Sequence, residues 1–196
     1  MTKRLFDIVC SLIGIIILLP VFAILYLWIV LDSKGGVLYK QIRVGKNNKD
    51  FTLLKFRSMY ADSDKQGLLT VGGRDKRITK SGYFLRKYKL DELPQLFNVL
   101  FGDMSLVGPR PEVRRYVGMY STDQLIVLSV RPGITDYASI EYSSENDLLA
   151  SADDPEELYI TRIMPDKLRL NMKYINERGV FTDIKIIIKT IFKIIS

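Results

Sequence analysis

Residues Lys89–Glu112 read KLDELPQLFNVLFGDMSLVGPRPE, and their order governs how the rest of the chain is read. Leu90, Leu93, Leu96, Phe97 and Leu100 recur at helical spacing, which predicts one buried helix face. An adjacent acid pair, Asp91-Glu92, stands at the start of that pattern. Asp91 occupies an N-cap position, with Pro94 tolerated in the first turn. Capping would account for Asp91 alone. The functional reading is that the positive helix end keeps this carboxylate ionised while Glu92 helps hold a cation. Eighteen residues past Glu92, Pro109-Arg110-Pro111 predicts a stiff turn presenting a guanidinium, because flanking prolines reduce the entropy lost in fixing it. Adjacent carboxylates near a fixed arginine suit metal-assisted chemistry on a phosphate group.

Composition narrows the chemistry further. The 196 residues make one domain's worth of chain, and 29 Lys and Arg against 22 Asp and Glu give a net charge of +7. A basic balance calls for a polyanionic partner: nucleic acid, anionic phospholipid headgroups or a phosphorylated substrate. There is no histidine, and the single Cys10 lies inside an apolar run, which excludes disulfides, Cys-clustered zinc and Cys-His nucleophiles. Acid–base and metal work falls to carboxylates, lysines and tyrosines, and oxygen-only ligands point to magnesium or a similar hard cation.

The apolar run, Ile8 to Leu31, is 24 uncharged residues, roughly 36 Å of helix at about 1.5 Å per residue. Length alone fits a spanning helix. Pro20, near its middle, predicts a kink. Lys3 and Arg4 flank one end, and Lys34, Lys40 and Arg43 flank the other. Basic flanks belong on the cytoplasmic side, so two basic ends favour a bent, re-entrant segment with both ends cytoplasmic.

Beyond Gly35-Gly36, Val37 to Val44 and Asp50 to Met59 read as short strands or extended segments, and Ala61 to Lys80 as a polar loop containing Gly72-Gly73-Arg74-Asp75. Ser81 to Tyr88 resumes a helical pattern, Arg131 to Ile134 reads as a tight turn, and Asp153 to Glu157 as an acid-rich helix start. From Asp183 onward, Ile184, Ile187, Ile188, Ile191 and Ile195 share one helix face and Lys185, Lys189 and Lys193 the other. That is the pattern of a helix lying in a membrane interface. Lys55 and Arg57 (in KFRSM), Arg86, Arg110 and Arg131 stand beside structured elements, and as a group they suit a diphosphate.

The motifs KRLFDIV, KFRSM, LRKYKLDELPQLFNVLFGDMSLVGPRP, RPGIT and DIKIIIKTI, spread over nearly the whole chain, resemble the bacterial sugar transferase family of monotopic phosphoglycosyl transferases. The resemblance implies a minimal member without the added membrane helices or accessory domain of larger ones. It implies transfer of a phosphosugar from a UDP-sugar to a polyprenyl phosphate such as undecaprenyl phosphate, releasing UMP, with magnesium required. On this implication Asp91 is the covalent nucleophile and Glu92 its partner and metal-associated acid. Lys55, Arg86 and Arg110 match phosphate-site positions, and Pro20 the helix-breaking proline. Departures cluster at Asp136 to Ser143, where an arginine is expected near Ser143, and at Asn171, where aspartate is usual. They fall where donor recognition is expected.

The fold expected is α-rich α+β. A re-entrant membrane helix over 1–34 precedes a small catalytic domain over 35–196 at the membrane surface, with amphipathic interfacial helices and a minor β element, on the cytoplasmic face of the bacterial inner membrane. A competing reading is a non-catalytic, basic membrane-surface scaffold or lipid-binding protein. A nucleic-acid module is disfavoured by the apolar N-terminus and the lack of a basic-aromatic binding pattern.

Overall fold

The computed structural model describes residues 2–61, 63, 72 and 75–195, the side chain of Ile195 excepted. Most of the expected loop between Ala61 and Lys80, including Gly73 and Arg74, lies outside the described residues. The first element, α1 (Thr2–Asp32), is one helix of 31 residues whose backbone stays helical through Pro20. A narrow stripe of α1 is buried: Asp7, Ser11, Ile15, Leu25 and Ile29. Ile16, Ile17, Leu19, Ile24, Leu27 and Leu31 are exposed, far more contiguous apolar surface than a water-facing helix carries.

Both ends of α1 are tied to the rest of the chain by charge. Lys3 Nζ donates to Asp183 Oδ2 at 2.5 Å, and Arg4 donates to the carbonyls of Val99 (2.6 Å) and Leu100 (3.0 Å). Asp7, fully buried, accepts from Ser105 Oγ at 2.9 Å and Leu106 N at 3.1 Å. At the other end Arg57 donates to the carbonyls of Lys34, Ser33 (2.7 Å) and Ile29 (3.2 Å). It thereby pins the carbonyls at and just beyond the end of α1, where the chain leaves the helix.

The β content is two small sheets. In the first, β1 (Leu38–Val44) and β2 (Asp50–Phe56) pair antiparallel from Leu38↔Phe56 to Val44↔Asp50. The second pairs β3 (Ser105–Val107) parallel with β4 (Gly133–Thr135). Arg131–Ile134 is therefore the entry to a strand and not the expected tight turn. Gly133 belongs there because a Cβ at this position would fall 2.0 Å from the Gly108 nitrogen, so two backbones meet where no side chain fits.

Around these sheets lie α2 (Lys80–Lys87), α3 (Gln95–Phe101), α4 (Arg114–Val117), α5 (Tyr137–Glu141), α6 (Glu145–Ala150), α7 (Pro155–Leu158), α8 (Met164–Glu177) and α9 (Val180–Ile195). The acid-rich start before α7 forms as expected: Asp154 caps it, accepting from Glu156 N and Glu157 N. One expected face is reassigned. In α3 the leucine stripe is only half-buried, packing on α1 through contacts such as Phe97 on Phe22, with ring centres 5.8 Å apart. The fully buried face is Gln95, Asn98 and Val99, because Asn98 completes the edge of β2: its Nδ2 donates to Thr52 O and its Oδ1 accepts from Leu54 N. In α9 Ile184, Ile188 and Ile191 stay exposed, consistent with the expected interfacial face, while Asp183 and Ile186 are buried in the core.

Candidate active site

Asp91 and Glu92 do not cap a helix. They lie in a single tight turn, Leu90–Glu92, that follows Lys89 in the left-handed region (φ 56°). Pro94 has no N–H to return to the Leu90 carbonyl, which accepts from Leu93 N at 3.3 Å instead, so regular helix starts only at Gln95. The turn projects both carboxylates into a cleft of about 940 Å³. The chain assembles this cleft from distant pieces: Lys55 from β2, Arg86 from α2, Lys89 to Glu92 from the turn and Arg110 from the proline-flanked loop after β3. That loop is fixed from behind, since Arg110 N donates to Asp136 Oδ2 at 3.3 Å and Pro109 O accepts from Gly133 N at 3.0 Å.

The two acids have opposite surroundings. Glu92 accepts from both terminal nitrogens of Arg110 and from Lys55 Nζ at 3.3 Å, so three of its roughly four lone-pair positions are used. Burial alone would push Glu92 up, but the Arg110 and Lys55 charges outweigh it and hold the carboxyl well below its ordinary range. Asp91 is only 6 % exposed, yet among the described residues no donor or ion-pair partner reaches its carboxylate. Burial first, and the Glu92 charge second, push Asp91 up. Burial likewise pushes Lys55 down, against the pull of Glu92.

Around the acid pair itself four cations, Lys55, Arg86, Lys89 and Arg110, stand against two carboxylates, a local surplus of two positive charges, and the whole cleft lining carries eight Lys and Arg against four acids. The arrangement leaves one buried carboxylate open to an electrophile or a hard cation, inside a field that favours anions. Asp91 offers all its lone pairs to such a cation and Glu92 about one. Two carboxylates plus substrate oxygens is nonetheless a donor set magnesium accepts. No larger cluster of acidic, histidine or cysteine ligands exists among the described residues.

Of the seven residues singled out in the sequence, Lys55, Arg86, Asp91, Glu92 and Arg110 line this cleft and two do not. Arg57 is buried on the α1 carbonyls, and Arg131 Nε donates to Gly102 O at 2.7 Å. Asn171 lies behind the Pro109–Pro111 loop, buried beside a void of about 20 Å³. Sequence reasoning missed Lys89, Arg43, Glu112, Glu145 and Lys167, all on the cleft wall. Lys89 adjoins the acid pair and was within reach of that reasoning; the others are ordinary surface charges until the fold joins them.

Away from the charges, the cleft continues as an apolar channel between Phe6, Cys10, Gly14 and Leu18 of α1 and Ile184, Ile187 and Ile191 of α9. The charged cleft thus opens into an apolar trough beside the long apolar helix α1. The chain belongs to the bacterial sugar transferase family, whose sequence profile matches residues 1–196. It is 39% identical over 197 residues to a UDP-N-acetylgalactosamine-undecaprenyl-phosphate N-acetylgalactosaminephosphotransferase of Aeromonas hydrophila, covering 99% of this chain and 44% of that protein. With a UDP-glucose:undecaprenyl-phosphate glucose-1-phosphate transferase of Escherichia coli it shares 35% identity over 195 residues, 97% of this chain and 39% of that protein. An uncharacterised sugar transferase of Bacillus subtilis is 36% identical, with 98% of this chain and 87% of that protein covered. The chain therefore spans less than half of the first two of these relatives.

Proposed function

We propose that this chain transfers a phosphosugar from a UDP-sugar to undecaprenyl phosphate or a similar polyprenyl phosphate. The observation that carries the proposal is Asp91: a buried carboxylate with no donor among the described residues, facing a cationic cleft that opens into an apolar channel. The relatives' names support the same chemistry, since the proteins of A. hydrophila and E. coli are undecaprenyl-phosphate sugar-phosphate transferases.

In the reaction proposed, an Asp91 oxygen attacks the phosphorus bonded to the sugar. The diphosphate P–O bond breaks, UMP leaves, and the phosphosugar stays on Asp91 as an acyl phosphate. A polyprenyl phosphate oxygen then attacks the same phosphorus, and the Asp91 carboxylate is the leaving group. Lys55, Arg86 and Arg110 share the charge of both phosphates, with the surplus of two positive charges matching a diphosphate. Glu92 holds Lys55 and Arg110 in place between turnovers. Magnesium, when bound by Asp91, the remaining lone pair of Glu92 and the donor's phosphate oxygens, would supply charge neutralisation at the attacked phosphate. The channel between α1 and α9 suits the prenyl chain.

A re-entrant placement of residues 1–34, with both ends on the side of the domain over 35–196, is supported by the polar ties at both ends of α1, and the basic flanks argue that this side is cytoplasmic. Lys3 and Arg4 at one end and Arg57 at the other join α1 to the same domain. A helix crossing the bilayer would carry one of those ends to the far side. The test is UMP release from a UDP-sugar panel with magnesium and polyprenyl phosphate. Release that requires Asp91 supports the transferase, and lipid binding without release returns the scaffold reading.

A further inference from the structure

The cleft carries a second polar group that the proposed reaction does not use. Lys167, on α8, reaches Glu145 at the start of α6, its Nζ donating to Oε2 at 2.8 Å. Their side chains are 13% and 23% exposed, and both line the cleft. Lys167 Nζ also sits 5.3 Å from the centre of the Tyr159 ring. Tyr159 is locked from behind, its hydroxyl donating to Glu112 Oε2 at 2.5 Å, while Glu112 Oε1 is held by Arg43 and by Val113 N. The group lines the same cleft as Arg110.

An ion pair tying α6 to α8 is the simplest account, but partly exposed pairs add little to stability. That account also leaves unexplained why the pair faces the cleft beside an immobilised aromatic ring. As a neutral unit it adds no attraction for phosphate. It offers an ammonium donor and a carboxylate acceptor side by side, above a Tyr159 ring that is itself buried and packed on Tyr116. Two adjacent hydroxyls meet that demand: one gives its proton to the carboxylate, and its neighbour accepts from the ammonium.

We infer that Lys167 and Glu145, flanked by Tyr159, form a polyol subsite that grips a vicinal diol of the donor and sets which sugar nucleotide is used. The inference rests on the reading that the cleft binds a sugar nucleotide. The diol belongs either to the transferred hexose or to the ribose. Recognition of hydroxyls by charged groups discriminates strongly, because an analogue lacking the hydroxyl leaves those groups unsatisfied.

The test uses the full-length chain in lipid nanodiscs as parent, Glu145→Gln, Lys167→Met and the charge swap Glu145→Lys/Lys167→Glu. For each, thermal stability, kcat/KM over UDP-sugars differing in single hydroxyls, and inhibition by UDP are measured. Each single variant should lose roughly tenfold to hundredfold in kcat/KM, mainly through KM. The swap, which keeps an ion pair but inverts donor and acceptor, should hold stability and still fail to restore donor use. A changed ranking of UDP-sugars with unchanged UDP inhibition assigns the hexose; equal weakening of UDP assigns the ribose. Folded single variants with kcat/KM within twofold of the parent across the panel would overturn the inference, as would a swap that restores full donor use. If the parent itself released no UMP, the transferase reading would fall, and this inference with it.

Discussion

Replacing Glu92 with glutamine keeps the side chain's size and removes its charge, which separates two roles for this acid. In the parent, Glu92 is the counter-ion of Lys55 at 3.3 Å and of Arg110 on both of its oxygens. Without it, two half-buried cations face each other, the Lys55 and Arg110 side chains being 18% and 35% exposed. Breaking a fully buried pair costs about 3–5 kcal/mol, and solvent at Arg110 screens this to about 1–3 kcal/mol. At roughly 2–4 °C per kcal/mol for a domain of this size, the ligand-free melting temperature should fall by about 2–12 °C. The Glu92 carboxyl is held below its ordinary value of 4.5, so its stabilisation is present above that pH and fades as pH falls below it. The gap between parent and variant should narrow in the same direction. UDP binding should move the opposite way. Removing a negative charge about 6 Å from a bound phosphate, at an effective dielectric of about 20, relieves about 3 kcal/mol of repulsion, or roughly hundredfold tighter binding. Turnover should fall, because Arg110 loses the partner that aims it. Calorimetric UDP titration and melting curves on both proteins read the outcome. Weaker UDP binding by Glu92→Gln would refute the reasoning, since Glu92 would then serve the diphosphate through a bound cation and not as the counter-ion of Lys55 and Arg110.

Other outcomes follow from the same geometry. Asp91 acts as the ionised form and its pKa is raised, so activity should be lost on the acid side at a pH above the ordinary carboxylate range, and that limb should move to lower pH as magnesium is increased. An ionised carboxylate without a donor costs stability above its raised pKa, so Asp91→Asn should melt no lower than the parent at neutral pH, checked by the same melting curves. Arg57→Met should lower the melting temperature by roughly 4–16 °C, from about 2–4 kcal/mol of lost hydrogen bonding to the α1 carbonyls, while the donor KM of the folded fraction stays unchanged. Single cysteines at positions 2 and 35 should both label from the cytoplasmic side; periplasmic labelling at position 2 in intact cells would restore a spanning helix.

The residues of the candidate site were legible because chemistry constrains them locally. An acid pair beside a helical pattern and an arginine between two prolines have few cheap structural uses. Arg57 and Arg131 carried the same charge but sat near carbonyls where helices end, and a guanidinium caps a helix end as readily as it binds phosphate. Nothing in the local sequence separates these uses. Asp91 was misplaced as a cap because Pro94 delays the regular helix by a turn. The Glu145–Lys167 pair spans 22 positions and became visible only when α6 met α8. Asp7 left a signal that could have been used: an acid one residue before an uncharged apolar run has to find a buried partner, and here it finds Ser105 and Leu106.

The most direct measurement is the intact mass of the protein after incubation with magnesium and UDP-sugar alone, without lipid acceptor. The account predicts a donor-dependent burst of UMP and a mass increase of one phosphosugar, mapped to Asp91 and discharged when polyprenyl phosphate is added. Asp91→Asn should fold and show neither. Transfer to the lipid with no adduct on the parent, or an Asp91→Asn protein that still formed the adduct and turned over normally, would contradict the covalent role of Asp91.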